Sequence, residues 1–98
     1  MFRHVVLLKW TPEATREQRQ AAAEGIRSLP QHVQGIRAFS VGEDAGAESG
    51  TFDLVIVADF DDRAGYLAYR DHPVHQTLIA GVTAPIRAGR AAVQYELG

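Results

Sequence analysis

Two of the four histidines lie three residues apart in Tyr69-Arg70-Asp71-His72-Pro73-Val74-His75. No other stretch gathers so many groups that exchange protons near neutral pH, and Tyr66 stands just upstream. Pro73 sets the local geometry. The residue before a proline is pushed out of the helical region, so a helix reaching Arg70 must break at His72. Proline is also well suited to the first position of a new helix. His75 would then sit in that helix's first turn, where partial positive charge disfavours a second positive charge. A neutral imidazole in such a place suits a general base. Tyr69 can donate a hydrogen bond to a carbonyl oxygen and stabilise an enolate as charge develops. The plainer alternatives are a histidine that only packs this corner and an amphipathic core tyrosine. His72 reads as the N-cap that holds the break, and His32 as an exposed loop residue beside Pro30.

Other chemistries find little support. His72 and His75 at this spacing could bind a metal with Asp71 or Asp59, but the proline turns the two rings apart, so no metal is expected. There is no cysteine, hence no disulfide or thiol nucleophile, which fits a reducing cytosol. No phosphate-cradling glycine loop, serine elbow or nucleotide fingerprint occurs, and no cofactor is expected. The net charge of −2 with no basic run gives no footprint for nucleic acid. No apolar run approaches the roughly 20 residues of a membrane span. Strand-like residues begin at Phe2 with no leader ahead of them, so a cytoplasmic location is expected.

The chain of 98 residues is long enough for one domain, expected over residues 1–98, but its core is small. Phe2 to Trp10 reads as a strand with consecutive Val5, Val6, Leu7 and Leu8, apolar on both faces. His4, Val6, Leu8 and Trp10 share one face. His4 either joins a pocket there or sits at the strand end, exposed or bonded to backbone. Thr15 to Gln18 matches a capping box, and a helix follows to about Leu29 with Ala22, Ile26 and Leu29 as its stripe. Pro30 is expected to stop it.

A second strand is expected over Ile36 to Val41, then a loop over residues 42 to 50 rich in glycine and acid. Thr51 to Phe60 is the strongest strand. Asp61 or Asp62 caps a helix to about Arg70, with Ala64, Leu67 and Ala68 as its inner face. The turn from Pro73 carries Leu78 and Ile79, and Arg90 to Leu97 is the last strand.

The order βαββαβ, with right-handed crossovers, predicts an α+β ferredoxin-like fold. Its antiparallel sheet has strand order 4-1-3-2 and both helices on one face. The other face is apolar and uncovered, which a monomer rarely tolerates. A twofold homodimer closing two such faces is the simplest solution.

With His4-Val5-Val6-Leu7-Leu8-Lys9-Trp10, Leu29-Pro30, Gly35-Ile36, Phe39-Ser40-Val41-Gly42-Glu43 and the Tyr-x-x-His-Pro-x-His segment, the chain resembles the stress-responsive dimeric α/β-barrel family. The resemblance covers nearly the whole length and implies the same dimeric barrel. A plant polyketide cyclase branch of that family uses a histidine–tyrosine pair for an aldol closure. Its catalytic histidine falls on His75, its tyrosine on Tyr69 and a second pocket histidine on His4. A further pocket tyrosine of that branch falls on Ile26, a departure from its pattern. The expected function is therefore cofactor-free proton chemistry on a small, mostly apolar carbonyl compound. His75 would be the base, Tyr69 the donor and His4 the orienting group. Trp10, Leu8, Val6, Ile26, Tyr66 and Leu78 would line the pocket. The alternatives are a non-catalytic stress-response or ligand-binding protein and a cofactor-free monooxygenase, for which Trp10 is the hint.

Overall fold

Apolar residues alternate along the first strand, and that alternation decides which side of the sheet receives the helices. The computed structural model describes residues 1–98. Strand β1 spans Phe2–Trp10, and its odd residues face away from the helices while Phe2, His4, Val6, Leu8 and Trp10 are buried beneath them. It pairs antiparallel with β3 (Leu54–Phe60) in a register that sets Val6 beside Ile56 and Leu8 beside Leu54. Strands β2 (Ala38–Glu43) and β4 (Arg87–Glu96) flank this pair, giving the order β2-β3-β1-β4. That is the ferredoxin-like arrangement expected from handedness, with helices on one face.

Helix α1 (Arg16–Arg27) starts at the capping box. The Gln18 amide N–H donates to the Thr15 hydroxyl, and the Thr15 backbone N–H donates to the Gln18 side chain. Ala22, Ala23 and Ile26 form its buried face. The helix does not run on to Leu29. Ser28 ends it, donating its hydroxyl to the Gly25 carbonyl at 2.7 Å, and a short helix α2 (Leu29–His32) follows. Pro30 is therefore no terminator. It lies in the first turn of α2, where a missing N–H costs nothing. Exposed His32 closes that turn instead of lying in a loop.

Helix α3 (Arg63–Asp71) is capped by Asp62, whose side chain accepts from the Gly65 N–H at 2.9 Å. Its inner face differs from the expected one. Tyr66 and Tyr69 are buried, Leu67 is partly so, and Ala64 and Ala68 face solvent. The two tyrosines fill space beside Phe60 that alanines would leave empty, so volume outweighed hydropathy. Helix α4 (Pro73–Leu78) begins at the break and passes into one π-helical turn and a short 3-10 turn before β4.

Strand ends also shift. β2 begins at Ala38, β3 at Leu54 and β4 at Arg87, three residues ahead of the expected start at Arg90. Asp53, just outside β3, accepts from the Trp10 N–H at 2.7 Å through its side chain, which anchors the end of β1 without extending the ladder.

The core has two parts. One is built on Val6, Leu8, Trp10, Ile26 and Ile56; the other on Phe2, Leu29, Ala58, Phe60, Tyr66 and Tyr69. The opposite sheet face carries Val5 and Leu7 on β1, flanked by Val57 and Val55 on β3 and by Val93 and Ala91 on β4. Nothing in the chain covers it, and Val93 and Tyr95 are 56% and 44% exposed. Its polar edge is organised by Arg3, which grips the buried Asp59 carboxylate at 2.7 and 2.8 Å.

Phe60 is fully buried, so Phe60→Ala should cost about 3–5 kcal/mol of stability. Urea unfolding at fixed protein concentration measures this, and a loss below about 1 kcal/mol would show that the second cluster collapses to fill the gap.

Candidate active site

Between the sheet and the helices lies a cavity of about 350 Å³. His4, Val6 and Leu8 of β1 and Ile56 of β3 form its floor. Ile26 and Leu29 close one side, and Tyr66, Tyr69 and Arg70 of α3 another. His75, Gln76, Leu78, Ile79 and Thr83 line the wall that follows the break, and Arg87 and Arg90 of β4 stand at the edge strand.

The helix break fixes the hydrogen bonding of His75. A helix end leaves carbonyl groups without partners. Here the Arg70 carbonyl accepts from His75 Nδ1 at 2.9 Å and from the Gln76 side-chain amide. A carbonyl can only accept, so His75 carries its proton on Nδ1 and keeps the Nε2 lone pair. His72 occupies the N-cap of α4, with its Nδ1 accepting from the Val74 N–H at 3.1 Å. It is spent on the backbone and does not line the cavity.

His4 is oriented the opposite way. Gln94 on neighbouring β4 donates its amide N–H to His4 Nδ1 at 3.0 Å, leaving the ring proton on Nε2. One imidazole is thus an acceptor at Nε2 and the other a donor at Nε2. The rings form an arc of two histidine–tyrosine pairs. His75 lies 4.3 Å from Tyr69 and His4 lies 4.7 Å from Tyr66, centroid to centroid, and the two tyrosines are 6.4 Å apart. The Tyr69 hydroxyl has no hydrogen-bond partner in the chain, and it is not sealed from the cavity.

Electrostatics keep these groups neutral. Burial is the main cause that lowers His4 to about 4, helped by the charge on Arg90 and by His75. Burial also lowers His75 from its ordinary value, with Arg90 and His72 adding to the effect and the Arg70 carbonyl opposing it. The neutral His75 expected from the helix terminus is thus held mainly by desolvation. Burial raises Tyr69 to about 12, so it remains an O–H donor.

The cavity brings together His75, Tyr69, His4, Val6, Leu8, Ile26, Tyr66 and Leu78, all singled out from the sequence. Trp10 stands apart. The β1–β4 register shifts between Lys9 and Trp10, and the indole packs in the core cluster with Ala22 and Ile86 beyond the cavity's end. Gln94, Arg87 and Arg90 were not anticipated. Period-two alternation from Ala92 would have put Arg90 and Gln94 on the helix side, but only strand pairing sets Gln94 opposite His4. Gly25 also shapes the site. A Cβ there would stand 2.6 Å from Leu78 Cδ1, so the glycine lets Leu78 lean against α1. No cluster of three or more histidines or carboxylates is placed to hold a metal ion. No helix is long and apolar enough to cross a membrane.

Sheet order and helices on one face define a ferredoxin-like protein, with a cavity under an aromatic arc. A family model described as the stress responsive A/B barrel domain matches residues 2–97, and the chain belongs to that family. An Arabidopsis thaliana stress-response A/B barrel domain-containing protein is 25% identical over 88 residues, 87% of this chain and 77% of its own. A crystal structure from Thermobifida fusca, described as a dimeric ferredoxin-like protein, is 34% identical with a TM-score of 0.88. That match covers 98% of this chain and 90% of the other. A hydroxynitrile lyase from Passiflora edulis shares the fold at a TM-score of 0.85 and 16% identity, covering 99% and 93%.

His4 yields a prediction with a definite sign. Its folded value near 4 lies below its ordinary 6.5, so on acidification the unfolded chain takes up the proton first. Stability should therefore rise with pH between about 4 and 6.5, by on the order of 2 to 3 kcal/mol, and His4→Gln should flatten that rise. Urea midpoints measured across this range decide it, and an equal slope in the variant would refute the assignment to His4.

Proposed function

We propose that this chain is a homodimeric, cofactor-free lyase or cyclase that performs acid–base chemistry on a small, mostly apolar carbonyl compound. The observation that carries the reading is the His75 tautomer. Its Nδ1–H is held by the Arg70 carbonyl, its Nε2 is free, and the unpartnered Tyr69 hydroxyl shares the same cavity.

In an intramolecular aldol closure, His75 Nε2 removes a proton from the carbon beside a carbonyl. The Tyr69 O–H donates to the oxygen on which enolate charge develops. The enolate carbon attacks a second carbonyl, whose oxygen accepts a hydrogen bond from His4 Nε2–H. His75 then returns its proton to the new alkoxide. Tyr66 and the aliphatic floor exclude water. The resemblance to a cyclase branch at His75, Tyr69 and His4 supports the same roles, while Ile26 in place of a tyrosine argues for a different substrate. The Passiflora hydroxynitrile lyase lends the fold alone, so the lyase class rests on His75 and Tyr69. A monooxygenase is the weaker reading, since Trp10 lies outside the cavity.

The homodimer is proposed from the open sheet face and from relatives described as dimeric, including those of Thermobifida fusca and Bacteroides fragilis. Two faces carrying Val5, Leu7, Val55, Val57 and Val93 would bury one another.

With a linear poly-β-ketone as substrate and product absorbance as readout, His75→Ala should lose about 10²–10⁴-fold in rate. Tyr69→Phe should lose about 10²–10³-fold. Unchanged turnover in folded His75→Ala would end the catalytic proposal in favour of a binding protein. In the parent, kcat/KM should climb with pH through a single midpoint below 6.5 and then stay level through neutral pH. Light scattering should also find that Leu7→Lys combined with Val93→Lys halves the particle mass; an unchanged mass would place the dimer contact elsewhere.

A further inference from the structure

The cavity's charge is one-sided. No aspartate or glutamate lines it, whereas Arg70, Arg87 and Arg90 do, all three of them exposed to solvent. Four other arginines of the chain are committed: Arg3 pairs with Asp59, Arg27 with Glu43, Arg37 with Asp61 and Arg70 with Asp71. Arg87 and Arg90 have neither an ion pair nor a side-chain hydrogen bond in the chain. Arg90 is near enough to both His4 and His75 for its charge to disfavour their protonation. Solvent screens the repulsion between these two exposed charges, and an anion bridging them would be attracted by both.

Building on the carbonyl-substrate reading above, we infer that the ligand of this cavity carries a terminal oxyanion, a carboxylate or phosphate, that Arg87 and Arg90 bind. The planar guanidinium fork matches either group and can bond it in two places at once. The apolar body of the ligand then lies over Val6, Leu8 and Ile26. This directs its carbonyl portion toward Tyr69 and His75. Both arginines come from β4, whereas the base and donor come from α3 and α4, so anchoring and chemistry reside on separate elements. Keeping both histidines neutral is also consistent with an anionic ligand, because the arginines supply the cationic charge and the imidazoles remain available for proton transfer.

Isothermal titration with octanoate, octyl phosphate and 1-octanol tests this on the intact chain. At least one of the two anions should bind about tenfold or more tightly than the alcohol, and high salt should reduce that advantage. Arg87→Gln with Arg90→Gln should abolish the preference while the thermal midpoint stays near that of the parent. Preference for octanoate alone or octyl phosphate alone identifies the oxyanion. Equal binding of acid and alcohol, a preference that survives in the folded double variant, or no binding of either anion overturns the inference. His75→Ala should keep the full anion preference. A failure of His75 as the catalytic base therefore leaves this result standing, and a failure of the arginine anchor leaves the test of His75 intact.

Discussion

The carbonyl oxygen of Arg70 is the junction on which the site depends. It is an orphan made by the break between α3 and α4, since a helix that stops leaves its last carbonyls without partners. Two side chains from the next helix claim it, His75 and Gln76. One bond thereby does three things. It ties α4 to the end of α3, it satisfies a polar group at the rim of an apolar cavity, and it fixes which imidazole nitrogen carries the proton. Tyr69, one residue before that carbonyl, lies against the same imidazole ring. The break, the tautomer and the histidine–tyrosine pair are thus one local arrangement, and Pro73 favours the break it is built on.

The sheet supplies what this corner lacks. His4 is presented by a central strand and oriented by Gln94 on the neighbouring edge strand. Because β1 is paired on both sides, its side chains hold their places more firmly than those of a loop. The histidine from the sheet is a donor at Nε2 and the one from the helix is an acceptor there. That complementarity arises from two bonds made far apart in sequence, one to a backbone carbonyl and one to an amide side chain.

Much of this is legible in the sequence itself. Alternation in β1 and β3 gave the buried faces, and connection handedness gave the strand order, because both follow from geometry that any sequence must obey. Pro73 announced the break and its N-cap. The family was readable from the motifs around His4 and the Tyr-x-x-His-Pro-x-His segment. What escaped depended on packing in three dimensions. Hydropathy assigned α3's inner face to Ala64 and Ala68, but Tyr66 and Tyr69 filled the space beside Phe60. Trp10 shares a strand face with His4, yet it packs into the core with Ala22 and Ile86 and not into the cavity. Pro30 looked like a terminator because a lone proline does not say whether it ends one helix or begins another. Arg87 and Arg90 were hidden because an arginine near a strand end is ordinary until its lack of a partner is seen.

Gly25 bears on how such a cavity can change over time. One absent methyl group on α1 lets Leu78 lean across the space that a side chain there would occupy. Leu78 forms part of the cavity wall, several residues beyond His75 on the same segment. Any larger residue at position 25 would have to displace the Leu78 side chain, and with it a part of that wall. The width of the cavity beside Leu78 is thus open to change from α1, an element that takes no part in the hydrogen bonds of the break.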